Sequence, residues 1–356
     1  MGKKITILGA FVCILAVVLN TETALWGARK GIDLCLQQVI PALFPLSVLS
    51  AYLCANIEKK GNKSILSSLL RIPPGCQHLF LMSFFSGYPA GIQNIVQSYK
   101  SGLLSEDSAK RMTAFCANPG ISFLFGMGVS LFPSLLFSVL ALICIVLSSL
   151  LTGILYPGGS IQEGLESKSS GMTIVECVML GVRNMAKICG FIVLFQVILA
   201  YIPIKSAFLI GLFELTSGVL WLHSVALPLR FVLFCALLSF GGLCVSMQSQ
   251  AIARHAGLPF SEYLPGKTLQ GLFSLLLSGI IQLFFSWGSV SLALWTTGIS
   301  LLGLGVIVFF LKKRKIRVEI PEGIMYNTKK KGVYVHDFSE ENKQAMRLQP
   351  KMRKIG

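Results

Sequence analysis

Long apolar runs separated by short polar or basic clusters dominate the hydropathy pattern of the chain. Several runs, such as residues 135–155 and 174–202, are about as long as the roughly 20 residues that a helix needs to cross a hydrocarbon core. Lipid cannot hydrogen-bond bare backbone groups, so runs of this length are predicted to be helical. The pattern therefore predicts an all-α polytopic membrane protein.

Two apolar runs contain a polar break and are predicted to be re-entrant hairpins. Residues 79–98 are interrupted at Ser86–Gly91, and basic clusters lie both before and after this run. Cytoplasmic loops are enriched in Lys and Arg, so both ends of the run are expected on the cytoplasmic side. Each arm has about ten residues and reaches about 15 Å, half of the hydrocarbon core. Residues 204–222, broken at Glu214–Gly218, are predicted as a second hairpin that enters from the opposite side.

The order of broken and unbroken segments repeats along the chain. Residues 31–156 and 174–311 each contain a long helix, one hairpin and one further broken helix, and residues 157–173 form a cytoplasmic linker. The additional breaks fall at Asn118–Gly120 and Gly241–Gly242. About eight transmembrane helices plus two re-entrant hairpins then form an inverted repeat, an arrangement in which secondary transporters hold solute near the midplane. The alternative is that Gly, Pro and Ser merely interrupt ordinary packed helices.

The two ends of the chain are predicted to be cytoplasmic. Residues 1–30 are interpreted as a transmembrane helix and a linker; a signal peptide is the alternative, but no clean A-x-A cleavage site follows the apolar run. The tail, residues 312–356, carries 13 Lys and Arg against 5 Asp and Glu. Such a tail is expected to attract anionic lipid. Nucleic-acid binding is not expected.

Composition narrows the function further. The chain is 54% hydrophobic and 13% charged, with a formal net charge of +16. Its ten cysteines stand singly in or beside apolar runs, so packing rather than metal binding is expected of them. No HExxH, GxSxG or Walker sequence is present, which argues against an enzyme. No cofactor is expected, apart from a coupling ion such as H⁺ or Na⁺.

Ionisable residues inside predicted spans are candidates for solute binding because charge in a bilayer is costly. Arg183, Asn184 and Lys187 lie deep in the run that begins at Ile174, and Arg183 and Lys187 share one helical face. Glu214 at the second hairpin tip is expected to pair with one of these cations. The cations outnumber the carboxylate, which favours an anionic solute. A purely structural ion pair is the alternative.

Five motifs occur in an order that resembles a known group. They are Ile40–Pro45, Ser86–Gly91, Asn118–Pro119, Glu214–Gly218 and Phe240–Gln248. Together they resemble the sporulation integral membrane proteins of the nucleoside-recognition (Gate) domain family, of the stage V dipicolinate transporter type. The resemblance implies a fold similar to concentrative nucleoside transporters, with hairpins and broken helices around the solute. It also implies dipicolinic acid as solute, moved into the forespore.

The resemblance assigns solute contact to the residues that match its motifs. These are Gly87, Pro89 and Gly91 at the first hairpin tip; Asn118 and Ser122 at the next break; Glu214, Thr216 and Ser217 at the second tip; and Ser246 and Gln248 after the last break. The expected function is secondary transport of a small anionic or nucleoside-like solute across a bacterial cell membrane, specifically the outer forespore membrane. The alternative is a non-transporting membrane protein that acts in spore envelope assembly or in partner recruitment through its basic tail.

Overall fold

The structure is a computed structural model that describes residues 2–57, 64–158 and 171–285, together with residue 298. These residues form α-helices joined by short connections, with one π-helical turn at Cys35–Val39 and one 3₁₀ turn at Leu222–Ser224. Five helical stretches of the described residues are long and apolar enough to cross a membrane. They are Thr21–Asn56, Leu135–Leu155, Ile174–Tyr201, Leu227–His255 and Tyr263–Gln282. The protein is thus a helical, membrane-embedded protein.

The helices are numbered in chain order. Before the linker they are α1 (Gly2–Leu19), α2 (Thr21–Leu34), α3 (Ile40–Asn56), α4 (Ile65–Leu70), α5 (Gln77–Ser86), α6 (Ala90–Lys100), α7 (Glu106–Met112), α8 (Ile121–Leu131) and α9 (Leu135–Leu155). After it they are α10 (Ile174–Tyr201), α11 (Ala207–Phe213), α12 (Leu215–Trp221), α13 (Leu227–Phe240), α14 (Gly242–His255) and α15 (Tyr263–Phe285).

Helices are interrupted at all four positions that the sequence suggested. Gly87 ends α5 at a φ of 68°, which favours glycine, and Glu214 separates α11 from α12 in an extended conformation. Gly241 and Gly242, with φ of 88° and 76°, separate α13 from α14. Residues 113–120 form a non-helical connection between α7 and α8. Each interruption leaves backbone N–H and C=O groups without helical partners.

Several boundaries differ from the sequence prediction. The expected linker after α1 is helical from Thr21, because Asn20 accepts a hydrogen bond from the Thr23 amide and starts a new helix. Helix α15 begins at Tyr263, so Lys267, which precedes the apolar run in the sequence, lies within the helix and is buried. The end of the second predicted repeat, residues 286–311, and the basic tail lie outside the described residues except for residue 298.

Close packing of α2 against α10 fixes the helix that runs past the breaks. A Cβ atom added at Gly27 or Gly31 would lie 2.9 Å or less from the backbone of α10, at Gln196, Val197 and Val193. Small residues allow two helix backbones to approach this closely in membranes. The contact holds the face of α10 that carries Gln196 toward the interior of the protein.

Candidate functional site

The four helix breaks converge on one small cavity with a volume of about 30 Å³. Each break contributes lining residues from its connection or from the helix that follows it, and α3 and α10 complete the wall. The lining residues are Val39, Leu43, Tyr88, Gly120, Phe123, Ile188, Ile192, Glu214, Leu215, Thr216, Cys244, Val245 and Gln248. A mostly apolar wall with a few polar groups is typical of small-molecule sites.

Glu214 is the buried carboxylate of this cavity, with a side chain only 2% exposed. It caps α12: its Oε1 accepts a hydrogen bond from the Thr216 amide at 2.9 Å, and its Oε2 accepts one from the Ser217 amide at 2.7 Å. The amide side chain of Gln196 on α10 also donates to Oε2, at 2.9 Å, and to the hydroxyl of Ser217. A negative charge at a helix N-terminus is favourable. Glu214 therefore binds the backbone that its own break exposes.

The predicted ion pair between Glu214 and Arg183 or Lys187 is wrong. Arg183 and Lys187 lie on the exposed face of α10, whereas the partners of Glu214 are Gln196 and two backbone amides. Asn184 is buried, one turn before the cavity residue Ile188. The physical reason is that spacings of three, four and seven residues identify a common face but not which face is buried.

The first hairpin motif lies against the second break. A Cβ atom added at Gly87 would be 3.0 Å from the Gly120 amide nitrogen, and one at Gly91 would be 2.7 Å from the Cys116 carbonyl oxygen. Pro89 is buried and precedes α6. These three predicted residues therefore support the close contact of two backbones. The cavity is lined instead by their neighbour Tyr88.

Asn118 lies behind the cavity wall in a fully buried polar network. Its side-chain nitrogen donates to Ser83 Oγ at 2.8 Å and to the Phe115 carbonyl at 3.0 Å, and its Oδ1 accepts from Gln270 Nε2 at 2.8 Å. Lys267 Nζ donates to the Ala117 carbonyl at 2.6 Å and to Gln270 Oε1 at 2.7 Å. The network ties α15 to the non-helical connection before α8.

The remaining predicted residues divide between the cavity and its surroundings. Thr216 and Gln248 line the cavity, and Ser217 lies beside it in the Glu214 cluster. Ser122 donates to the Ala42 carbonyl and Ser246 donates to the Gly242 carbonyl, so both hydroxyls bind backbone. Gln248 Nε2 lies 3.2 Å from the sulfur of Cys244.

Two helix N-termini at the cavity have no side-chain cap. Gly120 precedes α8 and lines the cavity, and Cys244 and Val245 in the first turn of α14 line it too. The first amides of a helix favour negative charge. Tyr88 also lines the cavity, and its buried hydroxyl has no hydrogen-bond partner within the described residues. This side of the cavity offers donors that the chain leaves unused.

Two cations that lie beside apolar runs in the sequence are buried. Lys267 is completely inaccessible and Arg111 is 4% exposed. The Arg111 guanidinium donates to the carbonyls of Leu70 at 2.6 Å and Gly153 at 2.5 Å, and burial lowers its pKa to about 10, so it stays charged at neutral pH. Neither residue therefore marks a water-exposed loop on the cytoplasmic side.

Sequence reasoning missed Lys267, Gln270 and Gln196. The signal for Lys267 and Gln270 is periodicity: Lys267, Gln270, Ser274, Ser278 and Gln282 recur at three- or four-residue spacing along α15 and are all buried. A polar stripe on an apolar helix indicates a face that packs against polar groups of the protein.

Comparison of the chain with protein-family models, with curated proteins and with solved structures found no match.

Proposed function

We propose that the protein is a secondary transporter of a small anionic or nucleoside-like solute, which binds in the cavity at the four helix breaks. The observation that carries this proposal is the convergence of all four breaks on one cavity. Broken helices bind polar solutes near the membrane midplane because their backbone groups are free to form hydrogen bonds. Four unrelated packing defects would have no reason to meet at one place.

The charge distribution around the cavity favours a solute with an acidic group. The carboxylate of Glu214 already satisfies the first amides of α12, whereas the first amides of α8 and α14 have no side-chain acceptor. Tyr88 adds a buried hydroxyl without a partner within the described residues. An acidic group at this end would accept hydrogen bonds from α8, α14 and Tyr88. Exposed Arg183 and Lys187 have no part in this arrangement.

Dipicolinic acid, suggested by the resemblance of the motifs, is the specific solute that we propose. It is a flat aromatic ring with two carboxylates, and the cavity combines apolar walls, such as Phe123 and Ile188, with the unused donors. In this proposal the two hairpins are re-entrant, the repeat is inverted, both termini are cytoplasmic and the membrane is the outer forespore membrane. A nucleoside would use the same apolar walls but would leave the helix N-termini without an anion.

Uptake into vesicles that contain the purified full chain tests the proposal. Wild type is expected to take up dipicolinate faster than protein-free vesicles. Glu214→Gln is expected to lower the uptake roughly tenfold, because an amide nitrogen would face one of the two backbone donors and charge-assisted hydrogen bonds contribute about 1.5–3 kcal/mol. The matched control is Glu176→Gln, an exposed residue at the start of α10 whose contact with Thr173 a Gln retains. Uptake equal to that of empty vesicles, or unchanged in Glu214→Gln, contradicts the proposal.

The basic tail supports one other candidate, recruitment of a partner without transport. The tail carries 13 Lys and Arg against 5 Asp and Glu, a charge that favours binding to an acidic partner. Deletion of residues 320–356 separates the two functions. Transport is expected to survive the deletion, whereas a recruitment function would be lost.

A further inference from the structure

Lys267 is a cation without a carboxylate partner among the described residues. Its side chain is completely inaccessible, and its two hydrogen-bond acceptors are the neutral Ala117 carbonyl and Gln270 Oε1. Buried charges are ordinarily paired with an opposite charge or coordinate a metal. A lysine bound only by neutral oxygens therefore has the kind of ligands that a bound alkali-metal cation would have.

The acceptor oxygens around Lys267 have the character of an alkali-cation site. Ala117 belongs to the non-helical connection between α7 and α8, and unwound carbonyls of broken helices are the groups that coordinate Na⁺ in transporters. Gln270 is held with its oxygen toward Lys267, because its nitrogen donates to Asn118 Oδ1 at 2.8 Å. Asn118 is itself fixed by Ser83 and Phe115. The oxygens are thus oriented in advance.

The third donor of the ammonium group has a distinct environment. Lys267 Nζ lies 6.0 Å from the centroid of the Tyr88 ring, at the limit of a cation–π contact. The negative face of an aromatic ring attracts an ammonium group, so this contact favours the charged form. Tyr88 lines the cavity, so one side chain separates the ammonium group from the cavity.

We propose that the ammonium group of Lys267 is a tethered cation that occupies an oxygen-lined site between α15 and the connection before α8, in the place of a free monovalent cation. This break then requires no Na⁺, and removal of the side chain opens a site for Na⁺ or a small alkylammonium ion. The inference does not depend on transport, since it concerns the stability of the site.

Chemical rescue of Lys267→Ala tests the inference. The purified full chain is heated in choline chloride, sodium chloride or ethylammonium chloride at equal ionic strength, and the unfolding midpoint is measured. In choline, Lys267→Ala is expected to unfold about 5 °C or more below wild type, because the two oxygens lose their donor. Sodium or ethylammonium should restore at least about half of that shift. Wild type and the exposed-face control Lys187→Ala are expected to show the same midpoint in all three salts.

Two further variants and conditions keep the result decisive. Lys267→Met fills the space with an uncharged chain of similar length, so its loss of stability should not respond to either cation. Lys267→Ala is to be purified with ethylammonium present throughout. Failure to obtain folded protein under this condition, absence of any response to sodium or ethylammonium, or wild-type stability of Lys267→Ala or Lys267→Met in choline each overturns the proposal. Because the readout is a melting temperature, these outcomes are independent of those of the uptake assay.

Discussion

Glu214 and Lys267 each bind backbone groups that a helix break leaves without helical partners, but the two side chains carry opposite charges. At the break between α11 and α12, the exposed backbone groups are amides, and the carboxylate of Glu214 accepts hydrogen bonds from two of them. At the connection between α7 and α8, the exposed group is the Ala117 carbonyl, and Lys267 donates to it. Each charge therefore matches the backbone polarity that its break leaves unsatisfied.

The difference between the two sites lies in where the charge comes from. Glu214 belongs to its own break and is followed at once by the amides that it binds. Lys267 reaches its acceptor from a helix 150 residues away along the chain. A local charge can form its contacts as soon as the break forms, whereas the Lys267 site exists only after α15 has packed. Substitutions at Lys267 therefore test tertiary packing, whereas substitutions at Glu214 test local helix capping.

The largest effect is expected from glycines beside each charge. A Cβ atom at Gly218 would lie 2.1 Å from the Gly211 Cα, and one at Gly266 would lie 2.4 Å from the Ala114 Cβ. Both contacts involve backbone or a short side chain that cannot rotate away, so Gly218→Ala and Gly266→Ala should each destabilise the protein by about 3 kcal/mol or more. Thermal unfolding in detergent measures the loss. Equal stability of either variant and wild type would mean that its break is looser than described.

Gly190→Ala provides the matched control for the glycine variants. Gly190 lies within α10, and no atom lies within 4 Å of an added Cβ. Alanine is favoured over glycine in a helix by up to about 1 kcal/mol. This variant is therefore expected to be as stable as wild type or slightly more stable.

A smaller effect is expected when Glu214 keeps its size and loses its charge. In Glu214→Gln one of the two backbone donors, at Thr216 or Ser217, loses its acceptor, which costs about 1–3 kcal/mol. Glu214→Leu removes both acceptors and should cost more. Unfolding midpoints of the two variants rank these losses. A Glu214→Leu variant as stable as Glu214→Gln would show that the cap contributes little.

The smallest effect is expected for the exposed cations of α10. Arg183→Gln and Lys187→Gln should each change the stability by about 0.5 kcal/mol or less, because neither side chain is buried. Dipicolinate uptake should also stay close to that of wild type. A large loss of uptake in Arg183→Gln would restore the sequence-based hypothesis that this cation contacts the solute.

The helix breaks could be predicted from the sequence because their causes are local. Gly241 and Gly242 adopt left-handed backbone that other residues rarely adopt, and the Glu214 carboxylate accepts from amides two and three residues on. The membrane-length helices were equally visible as apolar runs. Whether each hairpin enters and leaves the membrane on the same side depends on long-range packing, so the re-entrant hairpins remain a prediction.

The Lys267 site could not be predicted because its contacts are remote. In the sequence, a lysine next to an apolar run resembles a loop residue. Only the stripe of polar residues that continues from Gln270 to Gln282 distinguishes it. Arg183 shows the opposite error: it lies deep in an apolar run, but its face of α10 is the exposed one. Periodicity shows which residues share a helix face, and tertiary packing determines whether that face is buried or exposed.

The most direct test of the central claim is thiol labelling of a cavity position against a lipid-facing one. Thr216→Cys and Leu209→Cys are to be made in a Cys244→Ala background, because the native Cys244 thiol also lines the cavity, and treated in vesicles with a small charged thiol reagent. Thr216→Cys is expected to react and to be protected by dipicolinate, while Leu209→Cys, exposed on α11, stays unmodified because a thiol in lipid does not ionise. Reaction of Leu209→Cys with no reaction of Thr216→Cys would contradict a solute-accessible cavity at the helix breaks.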